Sequence, residues 1–138
     1  MNNTRFATVI HILTLLSVSQ EEWLSSDFIA GSIAVNPVIV RKELSVLKAN
    51  HFIESRKGKE GGVRLAKRSE TISLADIFKA VNSSELLGKK NKMPNPNCPI
   101  GKQINSNLSD LYAVTDEVVL EFLKTKTLKD FSNKFQSN

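Results

Sequence analysis

The sequence predicts a mainly α-helical chain with one small β-hairpin, a winged helix-turn-helix unit followed by a long C-terminal dimerisation helix. Three observations carry this reading. Phe52 to Ala66 holds two short apolar stretches separated by a turn with three glycines and several cationic residues. Directly before it lies a helical pattern opened by Asn36-Pro37 and joined to an earlier one by a short turn. From Pro99 to about Lys124, apolar residues recur at intervals of three and four over a length that a small domain does not need.

The first helix is expected from about Asn3 to Ser19. Its apolar residues at 6, 9, 10, 13 and 16 keep helical spacing. The same stretch follows Arg5 and is apolar enough to invite comparison with a secretory signal. His11, Thr8 and Thr14 interrupt it, however, and no small-residue cleavage site precedes Gln20-Glu21-Glu22, so a core helix is the better reading. No run is long enough to span a bilayer, which needs about 20 apolar residues. A second helix follows Ser25-Ser26, whose hydroxyls suit an N-cap, with Asp27 favourable in the first turn. It ends near Ala34, and 34–36 form the turn.

Asn36 is a good N-cap, and Pro37 at the first helical position has no amide hydrogen to waste. The third helix runs to about Ala49, with Asn50 expected in a left-handed cap. Val40, Leu44 and Leu47 share its inward face; Val38, Arg41, Lys42 and Ser45 share another. That outer face offers donors for guanine edges or phosphates and a valine for a thymine methyl. In the hairpin, Gly58, Gly61 and Gly62 are expected to supply positive φ, with Arg56, Lys57, Lys59 and Arg64 around the turn. Glycines in a turn also suit nucleotide phosphates, but the strand–glycine–helix arrangement ending in Lys-Ser/Thr is missing.

Ser73 caps a fourth helix, Leu74 to Asn82; 83–97 is a proline-bearing, Lys-rich loop. Pro99 starts the long helix, about 40 Å at 1.5 Å per residue. Its stripe is Ile100, Ile104, Leu108, Leu111, Thr115, Val118 and Phe122, broadened by Val114 and Val119. The stripe either packs back on the first helix or meets a second copy of the chain, and one face for each satisfies both. Thr127 caps a last helix through Phe135, with Leu128 and Phe131 facing inward. The organisation expected is therefore 1–82 DNA-binding domain, 83–97 loop, and 98–138 dimerisation and C-terminal helices.

Charge points to the partner. Among the 138 residues the net charge is +5, and 41–68 alone holds nine Lys or Arg against three Glu, so that segment carries +6 and the rest −1. One basic footprint on a helix–hairpin unit suits double-stranded DNA. Cys98 is the sole cysteine, which excludes an intrachain disulfide and fits a reducing cytoplasmic compartment. No nucleophile–base pair, carboxylate pair or metal-ligand spacing stands out, so no catalytic or metal site is expected. His11 reads as a core histidine and His51 as a residue beside the cap.

With these residues in view, the chain resembles the bacterial IscR/NsrR/CymR-type winged-helix transcription regulators, the Rrf-two family, and within it the cluster-free, YwnA-like branch. The resemblance lies in Asn36-Pro-Val-Ile-Val-Arg41, Leu44-Ser-Val-Leu-Lys-Ala49, Gly58 and Gly61-Gly62 ahead of Val63-Arg-Leu-Ala-Lys67, Ile72-Ser-Leu-Ala-Asp-Ile77, and Cys98-Pro-Ile-Gly101. It implies homodimers on inverted-repeat operators, usually as repressors. It also implies a reading helix using Pro37, Val38, Arg41 and Lys42, a wing using Arg56, Lys57 and Lys59, and dimerisation through the long helix; Ser26, Asn36, Ser45 and Arg64 join them as candidate DNA contacts by their place on the same helix–hairpin unit. Cluster-binding members carry three cysteines where this chain has one, so no iron–sulfur cofactor is expected; a mixed site shared across a dimer with His11 is the remaining alternative. Cys98 at a loop–helix junction is a redox candidate, and an enzyme or small-molecule effector is a further partner the resemblance allows.

Overall fold

The computed structural model describes residues 4–82 and 86–135. The expected helix start at Asn3 and the first three residues of the loop fall outside them. The elements are α1 (Arg5–Val18), α2 (Ser26–Ile33), α3 (Pro37–Ala49), β1 (Ile53–Arg56), β2 (Gly62–Leu65), a 3-10 turn at Ser69–Thr71, α4 (Leu74–Val81), α5 (Pro99–Lys124) and α6 (Leu128–Ser132).

The helix starts follow side-chain chemistry. Ser25 Oγ accepts from the Phe28 amide (3.1 Å), Asn36 Oδ1 from Val38 (2.9 Å) and Ser73 Oγ from Asp76 (3.0 Å). Each satisfies an amide left over in a first helical turn. The ends required corrections. Asn50 is not left-handed; its φ is −92°, its Nδ2 donates to Val46 O (2.8 Å), and the reversal falls on His51 at φ 64°. Phe52, buried in the core, sets this: its amide reaches Leu47 O (3.0 Å), so the chain turns one residue later. Ala34 makes the corresponding left-handed exit from α2, φ 64°.

β1 and β2 pair antiparallel with Glu54 opposite Arg64 and Arg56 opposite Gly62. Gly58 (φ 104°) and Gly62 (φ 152°) take the positive φ that the turn requires; Gly61 does not. Gly61 is needed for space instead, since a Cβ there would collide with the Arg56 carbonyl. A third strand-like segment joins the wing. Leu24, between α1 and α2, exchanges backbone bonds with Val63 (2.9 and 2.8 Å).

α1 is the hub. Val9, Ile12, Leu13 and Leu16 are fully buried, and the helix touches α2, α3, α4, α6 and β2. Ile29, Val40, Leu47, Ile53, Val63, Ile72, Ile77 and Leu128 complete the core. α5 lies mainly against α4, with Tyr112 its one buried residue and Leu123 packed on the core edge. The return to α1 expected of α5 is made by α6. Its Leu128 is fully buried, and backbone bonds from Leu74 to Lys126 O (2.9 Å) and from Leu128 to Ile72 O (2.8 Å) clip it in place. α6 ends at Ser132 rather than Phe135.

Thr127 and Asp130 form a reciprocal capping box, with both bonds at 3.0 Å. The Thr127 amide, then its hydroxyl, hold the Asp130 carboxyl below its ordinary range. The folded pKa is thus below the unfolded one of about 3.9. The ionised form favours the native state; its contribution is full above the unfolded pKa and is lost as pH falls through the folded one. We predict that Asp130→Asn reduces stability at neutral pH and flattens the loss of stability below about pH 4, measured by urea denaturation across pH. Parallel pH profiles for the two proteins would contradict this.

Candidate nucleic-acid interface

α3 divides sharply between two environments. Val40, Glu43, Leu44 and Leu47 are buried, whereas Val38, Arg41, Lys42 and Ser45 are exposed. Val38 is 61% exposed, a large apolar side chain left in water at the helix start. Asn36 is exposed and spends its Oδ1 on capping; Pro37 is half-buried, and Ser45 Oγ donates to Arg41 O (3.1 Å). Ser26 is half-buried at the first position of α2.

Glu43 is the unexpected member of the inward face, only 3% exposed. Arg5 of α1 grips it with two bonds, Nε to Oε2 and Nη2 to Oε1, both 2.9 Å, and Arg5 Nη1 donates to Val81 O of α4 (3.3 Å). The bonded carboxylate raises the Arg5 pKa further above its already high value. A bidentate fork fixes orientation as well as distance. One guanidinium therefore ties α3 to two helices behind it.

The wing cations fall into two groups. Arg64 Nε bonds Glu54 Oε1 (2.6 Å), and Arg56 Nη2 donates to Glu60 O (2.6 Å). Both guanidinium carbons lie over the Trp23 ring, Arg56 at 4.6 Å and Arg64 at 4.2 Å from its centre. Lys57 and Lys59 are exposed at the turn, and among the described residues neither has a polar partner in the chain. Lys48 on α3 donates to Ser55 Oγ on β1 (2.8 Å), which links helix to wing. Trp23, Ser25, Phe28, Arg56 and Lys59 line a shallow groove of about 580 Å³ between the start of α2 and the turn.

On α5, Ile100, Leu111, Val114, Val118 and Phe122 are each more than half exposed and share one face. Ile104 and Leu108 flank that face and are half-buried. The loop before α5 runs along the helix on a different side: Asn105 Nδ2 donates to Asn91 O (2.7 Å) and Lys90 Nζ to Ser109 Oγ (2.9 Å). Leu87 and Met93 are exposed in this loop but stand among Lys89, Lys92 and asparagines. Cys98 is half-buried at the helix N-cap. The amides of Gly101, then Ile100, lower its thiol pKa. No helix among the described residues is long and apolar enough to cross a membrane.

Residues 2–134 match the Rrf2 family of iron-dependent transcriptional regulators. The chain belongs to the Rrf2 family. YwnA of Bacillus subtilis (strain 168), whose name places it provisionally among HTH-type transcriptional regulators, is 39% identical over 133 residues, covering 96% of this chain and 98% of YwnA. A crystal structure of a provisionally assigned DNA-binding protein matches with a TM-score of 0.73 at 35% identity, over 92% of this chain and 97% of that one. CymR (YrzC), the global cysteine regulator of B. subtilis, matches with a TM-score of 0.73 over 99% of this chain and 98% of CymR; at 18% identity it bears on the fold alone. Rrf2 proteins are transcriptional regulators rather than enzymes, and they bind DNA. The family's iron dependence does not fit the donors present. Cys98 is the one thiol in the chain, His11 Nε2 is engaged with Ser32 Oγ (2.9 Å), and among the described residues no three His, Cys, Asp or Glu gather.

Trp23, Arg5 and Glu43 are the structural participants that the sequence reading did not single out. Glu43 carried a signal: it sits three residues after Val40 and four before Leu47, on the apolar spacing. A charge at such a position needs a partner. We predict that Arg5→Met, which strands the Glu43 carboxylate, costs about 3 kcal/mol of stability. Adding Glu43→Leu recovers most of it, read from urea denaturation midpoints. A single variant as stable as the wild type would show that the pair does not hold α3.

Proposed function

We propose that the protein is a homodimeric, sequence-specific DNA-binding regulator, acting as a repressor at an inverted-repeat operator. The observation that carries this is the pairing of an exposed α3 face, Val38, Arg41, Lys42 and Ser45, with unpartnered lysines on the adjoining turn, Lys57 and Lys59. Arg41 reads a base edge in the major groove; Lys42, Lys57 and Lys59 contact phosphate. The exposed stripe of α5 supports a two-fold pair, because a contiguous apolar face of that length is a poor surface to leave in water. A dyad would set two α3 helices about 34 Å apart on successive major grooves. Repression rests on the family resemblance.

The donor set favours a regulator that works without a cluster. The place of Cys98 at the N-cap of α5, where the Gly101 and Ile100 amides lower its thiol pKa, favours a second reading, in which that thiol is an oxidant-sensitive switch on the same DNA-binding activity. Selecting bound duplexes from a random pool, with and without oxidant, tests both. Recovery of an inverted repeat supports the first reading; loss of recovery on oxidation, abolished by Cys98→Ser, supports the second.

On the selected duplex, Arg41→Ala is expected to lose about 1–3 kcal/mol of discrimination at one base pair of each half-site. Lys57→Ala and Lys59→Ala are expected to weaken all duplexes alike and to reduce the salt slope by about 0.9 per site. An Arg41→Ala/Lys42→Ala variant that keeps affinity and preference would falsify the α3 assignment. For the dimer, Val118→Asp is expected to shift sedimentation from two chains to one. An unshifted dimer would move the interface away from α5.

A further inference from the structure

Two like-charged guanidinium groups brought to one ring call for an explanation. Arg56 and Arg64 lie on the same face of the hairpin, since Arg56 is opposite Gly62 and Arg64 lies two residues further along β2. Their guanidinium carbons stand 4.6 and 4.2 Å from the Trp23 ring centre. One carboxylate, Glu54, serves Arg64, while Arg56 is met by the Glu60 backbone carbonyl. Two guanidinium groups thus share one directly bonded carboxylate, with Lys59, Glu22 and Glu60 lining the adjoining groove. Trp23 is itself fixed. Its neighbour Leu24 exchanges two backbone bonds with Val63, and Gly62 lets the strands come that close, since a Cβ there would meet the Leu24 carbonyl. The ring is therefore held beside the wing, although it lies 33 residues before Arg56 and 41 before Arg64 in the chain.

A free arginine must lose several rotatable bonds' worth of disorder to hold a phosphate. An aromatic face that attracts guanidinium removes part of that loss beforehand. We propose that Trp23 is a positioning residue for DNA binding: its ring pre-orders Arg56 and Arg64 so that the wing presents both to one stretch of phosphate backbone. This role rests on the DNA-binding reading above.

The test uses the full chain and a duplex selected by the wild type. Trp23→Ala is expected to weaken binding about tenfold and to lower the slope of log affinity against log salt by about 1–2, as loss of one or two phosphate contacts requires. Trp23→Phe, which keeps an aromatic face, retains most of both. In an Arg56→Ala/Arg64→Ala background, Trp23→Ala adds nothing further. Trp23 is the chain's only tryptophan, so acrylamide quenching of its emission reads the stack without DNA. Removing both arginines is expected to raise quenching. Unchanged affinity and slope in Trp23→Ala, or a loss that adds in full to that of the arginine variant, overturns the positioning role. Unchanged quenching overturns the stack. Wild-type protein that binds no duplex overturns the DNA-binding reading, and the quenching result still decides the stack independently.

Discussion

The arrangement depends on holding one face of α3 dry while its opposite face stays in water. Val40, Leu44 and Leu47 supply the apolar anchor, but apolar contacts alone leave a helix free to rotate by a fraction of a turn. The bidentate Arg5–Glu43 contact removes that freedom, because two parallel bonds of 2.9 Å permit one orientation of the carboxylate. With the helix rotation set, Val38, Arg41 and Lys42 project outward. The Arg5 bond to Val81 O extends the constraint to α4, against which α5 packs. α3 and the helix carrying the exposed apolar stripe are thereby joined through a few residues.

A second theme is how cations are divided. The basic window carries +6, yet its charges are not equivalent. Lys48, Arg56, Arg64 and Arg68 are each bonded within the chain, to Ser55, Glu60 O, Glu54 and Glu70 respectively. Arg41, Lys42, Lys57 and Lys59 have no such bond among the described residues. The two ion pairs among them, Arg64–Glu54 and Arg68–Glu70, are solvent-accessible and contribute little to stability. Their effect is geometric: the internal bonds order the cations that carry them, while the unbonded ones project from the surface without a partner among the described residues.

Most of the fold was legible because its punctuation is local. Ser25, Asn36-Pro37, Ser73, Pro99 and Thr127 each start a helix by chemistry that needs only the next three residues. Where tertiary contacts decide, the reading slipped. The exit from α3 moved from Asn50 to His51 because Phe52 had to reach the core, and Gly61 proved necessary for space rather than for φ. The helix that returns to α1 is the short α6; its Leu128, inward-facing by the sequence reading, is fully buried, and Phe131 packs against the core. The candidate interface was legible as charge plus helix–hairpin order. The Trp23 stack was not, since it joins residues that become neighbours only when Leu24 pairs with Val63.

The account stands on a cationic helix and wing presented twice by a symmetric pair. Its most direct test is the stoichiometry and salt dependence of binding to a selected duplex, followed together by analytical ultracentrifugation. The account predicts two chains per duplex and an affinity that falls steeply and log-linearly as salt rises. A monomeric protein, or binding indifferent to salt, would contradict it.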